Sequence, residues 1–209
     1  MKKFRIKSFC KINLTLKVFK RFKTNYHNIE SLITFCNLYD VITVRKIKGL
    51  SDKIKFSGKF KNKINKKSNT ITKVLHLLRE RNFFKDQAFK IDIQKNIPHG
   101  SGLGGGSSNA ASLLNFFNSK MDLKINKTLL NKIARQIGFD VPINLEKKNT
   151  LLTNKEGKIL RLNNKFRLNI LIVYPNIICS TRKIFTRNKK FTLSKSQSNY
   201  YTKNKKKLI

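Results

Sequence analysis

Apolar and polar positions alternate along "KINLTLKV". Ile12, Leu14, Leu16 and Val18 fall on one side and Lys11, Asn13, Thr15 and Lys17 on the other. A period of two predicts a strand with one wet face, carrying Lys11 and Asn13 outward. "DVITVRKI" and "AFKIDIQ" predict two more half-buried strands. The spacing then changes to a helical one. Ile71, Val74, Leu75 and Leu78 share one face, with His76 off that face and solvated. Ala110, Leu113, Leu114 and Phe117 form a second helical face, for which Ser107 or Ser108 is available as N-cap. A third helix through Leu129, Leu130, Ile133, Ala134 and Ile137 stops at Gly138. Further on, "LNILIVYP" is an unbroken apolar run that predicts a buried strand ending at Pro175. From about Asn188 the chain turns polar and basic, which predicts a frayed tail or an unfinished domain. Strands and helices mix without a regular βαβ period, so the fold class expected is α+β.

Composition narrows the classes. With 209 residues and 39% hydrophobic content the chain can bury a core. No apolar run reaches the roughly 18 residues of a membrane span, and the Lys-rich start has no signal-peptide apolar stretch, so a cytoplasmic protein without a membrane partner is expected. Cys10, Cys36 and Cys179 lie far apart, and only His27, His76 and His99 could join them, so neither a disulfide framework nor a zinc site is suggested. A net charge of +37 would ordinarily suggest nucleic acid. The basic residues are scattered, however, and Lys, Asn, Ile and Phe are over-used together. Nucleic acid is therefore not expected as a specific partner, whereas a polyanionic small substrate would be steered by the same field.

Most of the glycines sit in "IPHGSGLGGGSSNAASLLNFF", Ile97 to Phe117. A glycine-rich turn opening a helix suits an anion, because backbone N–H groups can approach it and the helix dipole is positive there. Gly100, Gly102 and Gly105 satisfy the dinucleotide pattern G-x-G-x-x-G. The preceding segment alternates rather than running apolar, and Asp122 follows a helix, so the context for a dinucleotide fold is missing. The P-loop needs Lys and then Ser or Thr after its last glycine, where this chain has Ser107, Ser108 and Asn109. A protein-kinase loop would need a downstream H-R-D, which is absent.

Pro98, then Gly102-Leu103-Gly104-Gly105-Gly106-Ser107-Ser108 and the pair Ala110-Ala111 resemble the phosphate loop of the GHMP small-molecule kinases. The resemblance implies an ATP site, with Pro98, Gly100, Ser101, Gly102, Leu103, Gly104, Gly105, Gly106, Ser107 and Ser108 around the phosphates. It also implies a ribosomal protein S5 domain 2-like N-terminal domain, assigned to residues 1–147. An incomplete ferredoxin-like C-terminal domain, with the basic tail, would take residues 148–209.

Other segments follow in the family's order. "FCKINLTLKV" resembles its opening strand, with Cys10 in place of Ala. "NYHNIESLITFCNLYDVI", "GFDVPINL" and "VYPNIICSTRKIF" resemble blocks of the branch that phosphorylates the 2-hydroxyl of 4-(cytidine 5'-diphospho)-2-C-methyl-D-erythritol in the non-mevalonate isoprenoid route. By that resemblance Asp140 is the base and Lys11 its partner. A carboxylate can accept the hydroxyl proton, and an adjacent ammonium keeps it ionised. Tyr26 and Phe185 match residues stacking on the cytosine, and His27 one that reads its edge. Asn13 and Thr181 match residues near the methylerythritol and its phosphates, and Asn69 one near the adenine. Mg²⁺ is implied with ATP rather than on a protein ligand set, with Ser107 available to assist.

The chain departs from the family in two places. Asn25 replaces the Gly before Tyr-His, and nothing after Pro175 resembles the family's second glycine-rich motif. A shortened C-terminal half is therefore expected, with reduced turnover and an exposed apolar flank favouring self-association or a homodimer. The rival readings are another GHMP kinase, of homoserine or mevalonate type, an inactive fragment, or a basic RNA-binding domain of S5-like shape.

Overall fold

The structure, a computed structural model, describes residues 2–21, 27–49, 51–62, 64–65, 68–84, 86–153, 158–163, 166–177, 184, 186–188 and 191–192. The chain divides into two compact units. The first comprises Met1–Cys10, Asn37–His99 and Leu103–Glu146, the second Lys11–Cys36, Gly100–Gly102 and Lys147–Ile209. A break after Glu146 lies beside the boundary expected at 147/148, but the second unit also takes two earlier segments. This follows from two long strands, β1 (Lys3–Asn13) and β3 (His27–Ile47), each of which supplies residues to both units.

In the first unit the later part of β3 pairs antiparallel with β5 (Ala88–Gln94), Ile42 opposite Ile93 and Val44 opposite Ile91. On its other edge β5 takes β4 (Lys53–Ser57) in parallel, with Ile54 opposite Ile91. Period two then sorts the side chains. Ile42, Val44, Phe89, Ile91 and Ile93 are buried, while Arg45 and Asp92 sit on the wetter face 3.3 Å apart.

The helices α1 (Thr70–Arg79), α2 (Gly105–Lys120) and α3 (Lys127–Ile137) join these residues in one core. The expected faces of α1 and α2 are buried, Ile71, Val74, Leu75 and Leu78 on the one and Ala110, Leu113, Leu114 and Phe117 on the other, while on α3 Ile133, Ala134 and Ile137 are buried and Leu129 and Leu130 half-buried. Phe84, Phe89 and Phe117 meet pairwise with centroids 4.8–4.9 Å apart. Arg79 closes α1, donating to the Phe84 and Gln87 carbonyls and to both oxygens of Asp52, which in turn accepts the Phe89 N–H. A short fourth helix, α4 (Val141–Asn144), follows Asp140 with Pro142 in its first turn.

The second unit is built on the early part of β3. β2 (Lys17–Arg21) pairs with it antiparallel, Lys17 opposite Glu30, and β6 (Thr150–Thr153) does so with Leu151 opposite Leu32. β7 (Lys158–Arg161) extends the sheet from β6.

Three expectations are corrected here. "KINLTLKV" is not one alternating strand, because β1 ends at Asn13 and the Leu14 and Thr15 amides both turn to the Leu32 carbonyl. The faces are consequently reversed: Lys11 is 6% exposed and Leu16 49%. "LNILIVYP" is assigned no strand and is not buried, with Leu171 88% and Val173 80% exposed. Apolar, β-branched character makes a strand only where a neighbouring strand offers partners. The tail is not frayed throughout, since the Thr192 N–H donates to the Val18 carbonyl at 2.7 Å and the Phe191 ring lies nearly parallel to His27. Among the described residues no helix is long and apolar enough to cross a membrane.

Candidate active site

The glycine run enters α2 through Gly104, the N-cap, in left-handed conformation at φ 68°. Neither Ser107 nor Ser108 caps the helix, which begins upstream of both because glycine reaches that conformation without the penalty a Cβ brings. First-turn amides have no carbonyl one turn back, so those of Gly105, Gly106 and Ser107 point out of the helix at its positive end. Ser108 is different. Its amide donates to the Gly104 carbonyl, and its hydroxyl donates to the Phe9 carbonyl at 2.6 Å and lies 2.8 Å from Ser8 Oγ. Ser8 Oγ is also 2.9 Å from Asn109 Oδ1. Ser108, expected at the phosphates, is buried and ties α2 to β1.

Beside this turn lies a pocket of about 320 Å³, whose lining includes Asn69, Thr70, Lys95, His99, Gly106 and Asn109. Thr70 Oγ1 donates to the Gly106 carbonyl at 2.8 Å, tying the start of α1 to the start of α2. Asn69, expected near the adenine, is in the pocket lining. Its Oδ1, though, is spent capping α1, accepting from the Ile71 and Thr72 amides at 2.9 and 3.1 Å, while Nδ2 donates to the Asn65 carbonyl.

Lys95 was not singled out by sequence reasoning, because one lysine among so many carries no pattern. It is 4% exposed and ion-paired with Asp40, itself fully buried. Burial pulls its ammonium below the ordinary lysine value, and the Asp40 carboxylate works against that pull. Asp140 stands at the head of α4, where its carboxylate makes no capping hydrogen bond and its carbonyl accepts from Asn144 Nδ2 at 2.7 Å. The turn after α3 leads into α4.

Within the second unit the Lys11 ammonium donates to Asn13 Oδ1 at 2.7 Å, Asn13 Nδ2 to Ser31 Oγ at 2.6 Å, and Ser31 Oγ to the Thr15 carbonyl at 2.6 Å. This relay fixes the direction of Lys11 and Asn13 together. His27, at the start of β3, lies 6.4 Å from Phe191, centroid to centroid, with the rings 18° from parallel. Gly100, Ser101 and Gly102 belong to this unit, Leu103 to Ser108 to the first. Tyr26, Thr181 and Phe185 lie outside the described residues. Pro98 and His99 lead into the loop, Pro98 buried. No group of three His, Cys, Asp or Glu side chains able to hold a metal occurs among the described residues.

The description "GHMP kinases N terminal domain" fits residues 69–146, the span from the N-cap of α1 to the end of α4's turn. The 4-diphosphocytidyl-2-C-methyl-D-erythritol kinase of Pelagibacter ubique (strain HTCC1062) is 42% identical over 199 residues, covering 95% of this chain and 69% of that protein. The chain belongs to this family of GHMP kinases. The relative of the same name from Caldicellulosiruptor bescii is 34% identical over 87% of this chain and 62% of its own length. A crystal structure of 4-(cytidine 5'-diphospho)-2C-methyl-D-erythritol kinase superposes with a TM-score of 0.61 at 25% identity, over 76% of this chain and 55% of that one. A homoserine kinase from Cytophaga hutchinsonii shares the fold at a TM-score of 0.60 and 17% identity. The chain thus spans between about half and two thirds of the length of the relatives it matches.

Proposed function

We propose that this chain carries the nucleotide-binding and catalytic part of a kinase that moves the γ-phosphate of ATP to the 2-hydroxyl of 4-(cytidine 5'-diphospho)-2-C-methyl-D-erythritol, in the cytoplasm. The observation that carries the reading is the left-handed Gly104 opening α2 beside a pocket floored by a buried lysine, in a chain of this family. Amide N–H groups and an ammonium are donors, and donors suit phosphate oxygens.

Asp140 is the proposed base, taking the hydroxyl proton as the oxygen attacks the γ-phosphorus. Lys11, aimed by Asn13 and Ser31, is its proposed partner and orients the alcohol. Phosphoryl transfer asks the protein mainly for positioning and charge stabilisation, and the Gly104 to Ser107 turn is proposed to supply these at the β- and γ-phosphates. The donor set fits an anion rather than a metal, so Mg²⁺ is proposed to arrive on ATP, with the half-buried Ser107 within the turn to assist. His27, with Tyr26 and Phe185, is proposed for the cytosine, and Asn13 and Thr181 for the sugar alcohol and its phosphates.

A coupled assay of ADP release, offering the CDP-bearing alcohol, mevalonate and homoserine in parallel, tests the assignment. Turnover is expected with the first alone. Turnover of mevalonate or homoserine in its place would overturn the choice of substrate.

A further inference from the structure

Asp40 is fully buried within β3, between the half-buried Tyr39 and Val41, and its two oxygens have different tasks. Oδ1 accepts the Asn96 amide at 2.7 Å and the Ile97 amide at 2.9 Å, the two residues that lead into Pro98 and the glycine run. Oδ2 pairs with the Lys95 ammonium. That ammonium lines the pocket and lies 3.5 Å from where a Cβ on Gly105 would stand, directly beneath the first turn of α2. Ile97 packs against the same spot, its Cγ2 3.0 Å from it. Asn96 Nδ2 donates to the Tyr39 carbonyl, so the approach to the loop is held on both sides of Asp40.

Stability alone does not account for this arrangement. Burying two charges costs desolvation that their attraction only partly repays, and apolar residues of similar volume commonly do as well or better. A lysine ion-paired with a buried carboxylate in the lining of this pocket can meet an anion, a use that an apolar side chain lacks.

We propose that Asp40 is the positioning residue of the nucleotide pocket, holding Lys95 beneath the first turn of α2 with one oxygen and the approach to the glycine loop with the other. The inference rests on the nucleotide-binding reading above.

ADP affinity, measured calorimetrically on the full chain at fixed Mg²⁺ and salt, tests it. Asp40→Asn keeps an oxygen for the two amides and removes the charge. It is expected to weaken ADP binding about tenfold, the size of one charge-assisted hydrogen bond. The double variant Asp40→Asn/Lys95→Met leaves neither charge buried alone and is expected to melt close to wild type while still binding ADP about tenfold more weakly. In turnover assays Asp40→Asn should raise the KM for ATP and leave the KM for the alcohol unmoved. A merely structural loss would lower apparent kcat with the folded fraction and leave KM for ATP unchanged. Either variant folding and binding ADP as wild type does overturns the inference. Wild-type protein that fails to bind ADP overturns the kinase reading itself, a separate outcome.

Discussion

A Cβ on Gly58 would stand 2.6 Å from the carbonyl oxygen of Lys95 and 2.8 Å from its amide nitrogen. β4 therefore ends against the backbone of the residue that floors the pocket, and the contact is completed by the Lys95 N–H donating to the Ser57 carbonyl at 2.8 Å. Gly58 also has φ +86°. Gly58→Ala is expected to cost about 2–5 kcal/mol, combining left-handed strain of roughly 1–2 kcal/mol with overpacking of about 1–3 kcal/mol. Urea unfolding checks this, and a loss below about 0.5 kcal/mol, as at an ordinary surface site, would contradict it.

Asp140→Asn keeps the shape of the side chain and removes the proposed base. Phosphoryl transfer by the folded variant should fall about 10²- to 10⁴-fold. Retention of most of the activity by a folded variant would remove Asp140 from the mechanism.

Phe117 is fully buried between Phe84 and Phe89. Phe117→Ala should destabilise the chain by about 3–5 kcal/mol, because the three rings cannot collapse onto the void without leaving their packed geometry. Chemical denaturation with an unchanged m-value is the check.

Lys95 makes stability depend on alkaline pH. Its folded-state pKa is lowered, by burial first, with Asp40 opposing. Between that lowered value and the ordinary lysine value of about 10.4, the unfolded chain holds the proton that the folded chain has released. Unfolding free energy therefore rises with pH through that window, and below it the burial cost is fully present. The stability of wild type relative to Lys95→Met should increase as the pH is raised toward the lysine range. A flat or falling difference in melting temperature would contradict this.

The legible parts of the fold are those whose signal is local. α1, α2 and α3 were readable because each buries one periodic stripe, and the end of α3 because Gly138 stops it. The glycine loop was readable for a related reason: its backbone conformations restrict residue type one position at a time. Lys95 and its pairing with Asp40, the later Asp of the Tyr-His block, were not, because a pair 55 residues apart acquires meaning only once β3 and β5 lie side by side. The helix start was misplaced because serine is the commoner cap and nothing in the composition says that Gly104 turns left-handed first.

By itself, then, the sequence determined the α+β class, the helical faces, the glycine-rich turn that opens α2 and the family to which the chain belongs. Each depends on residue type at short spacing, where backbone sterics and periodic burial act. Tertiary structure alone decided that Lys11 is buried, that Ser108 is buried and tied to β1, that the apolar run before Pro175 finds no strand partner among the described residues, and that one carboxylate serves both a lysine and a loop. Those outcomes depend on which distant groups supply hydrogen-bond partners and cover, and the chain acquires them only by folding.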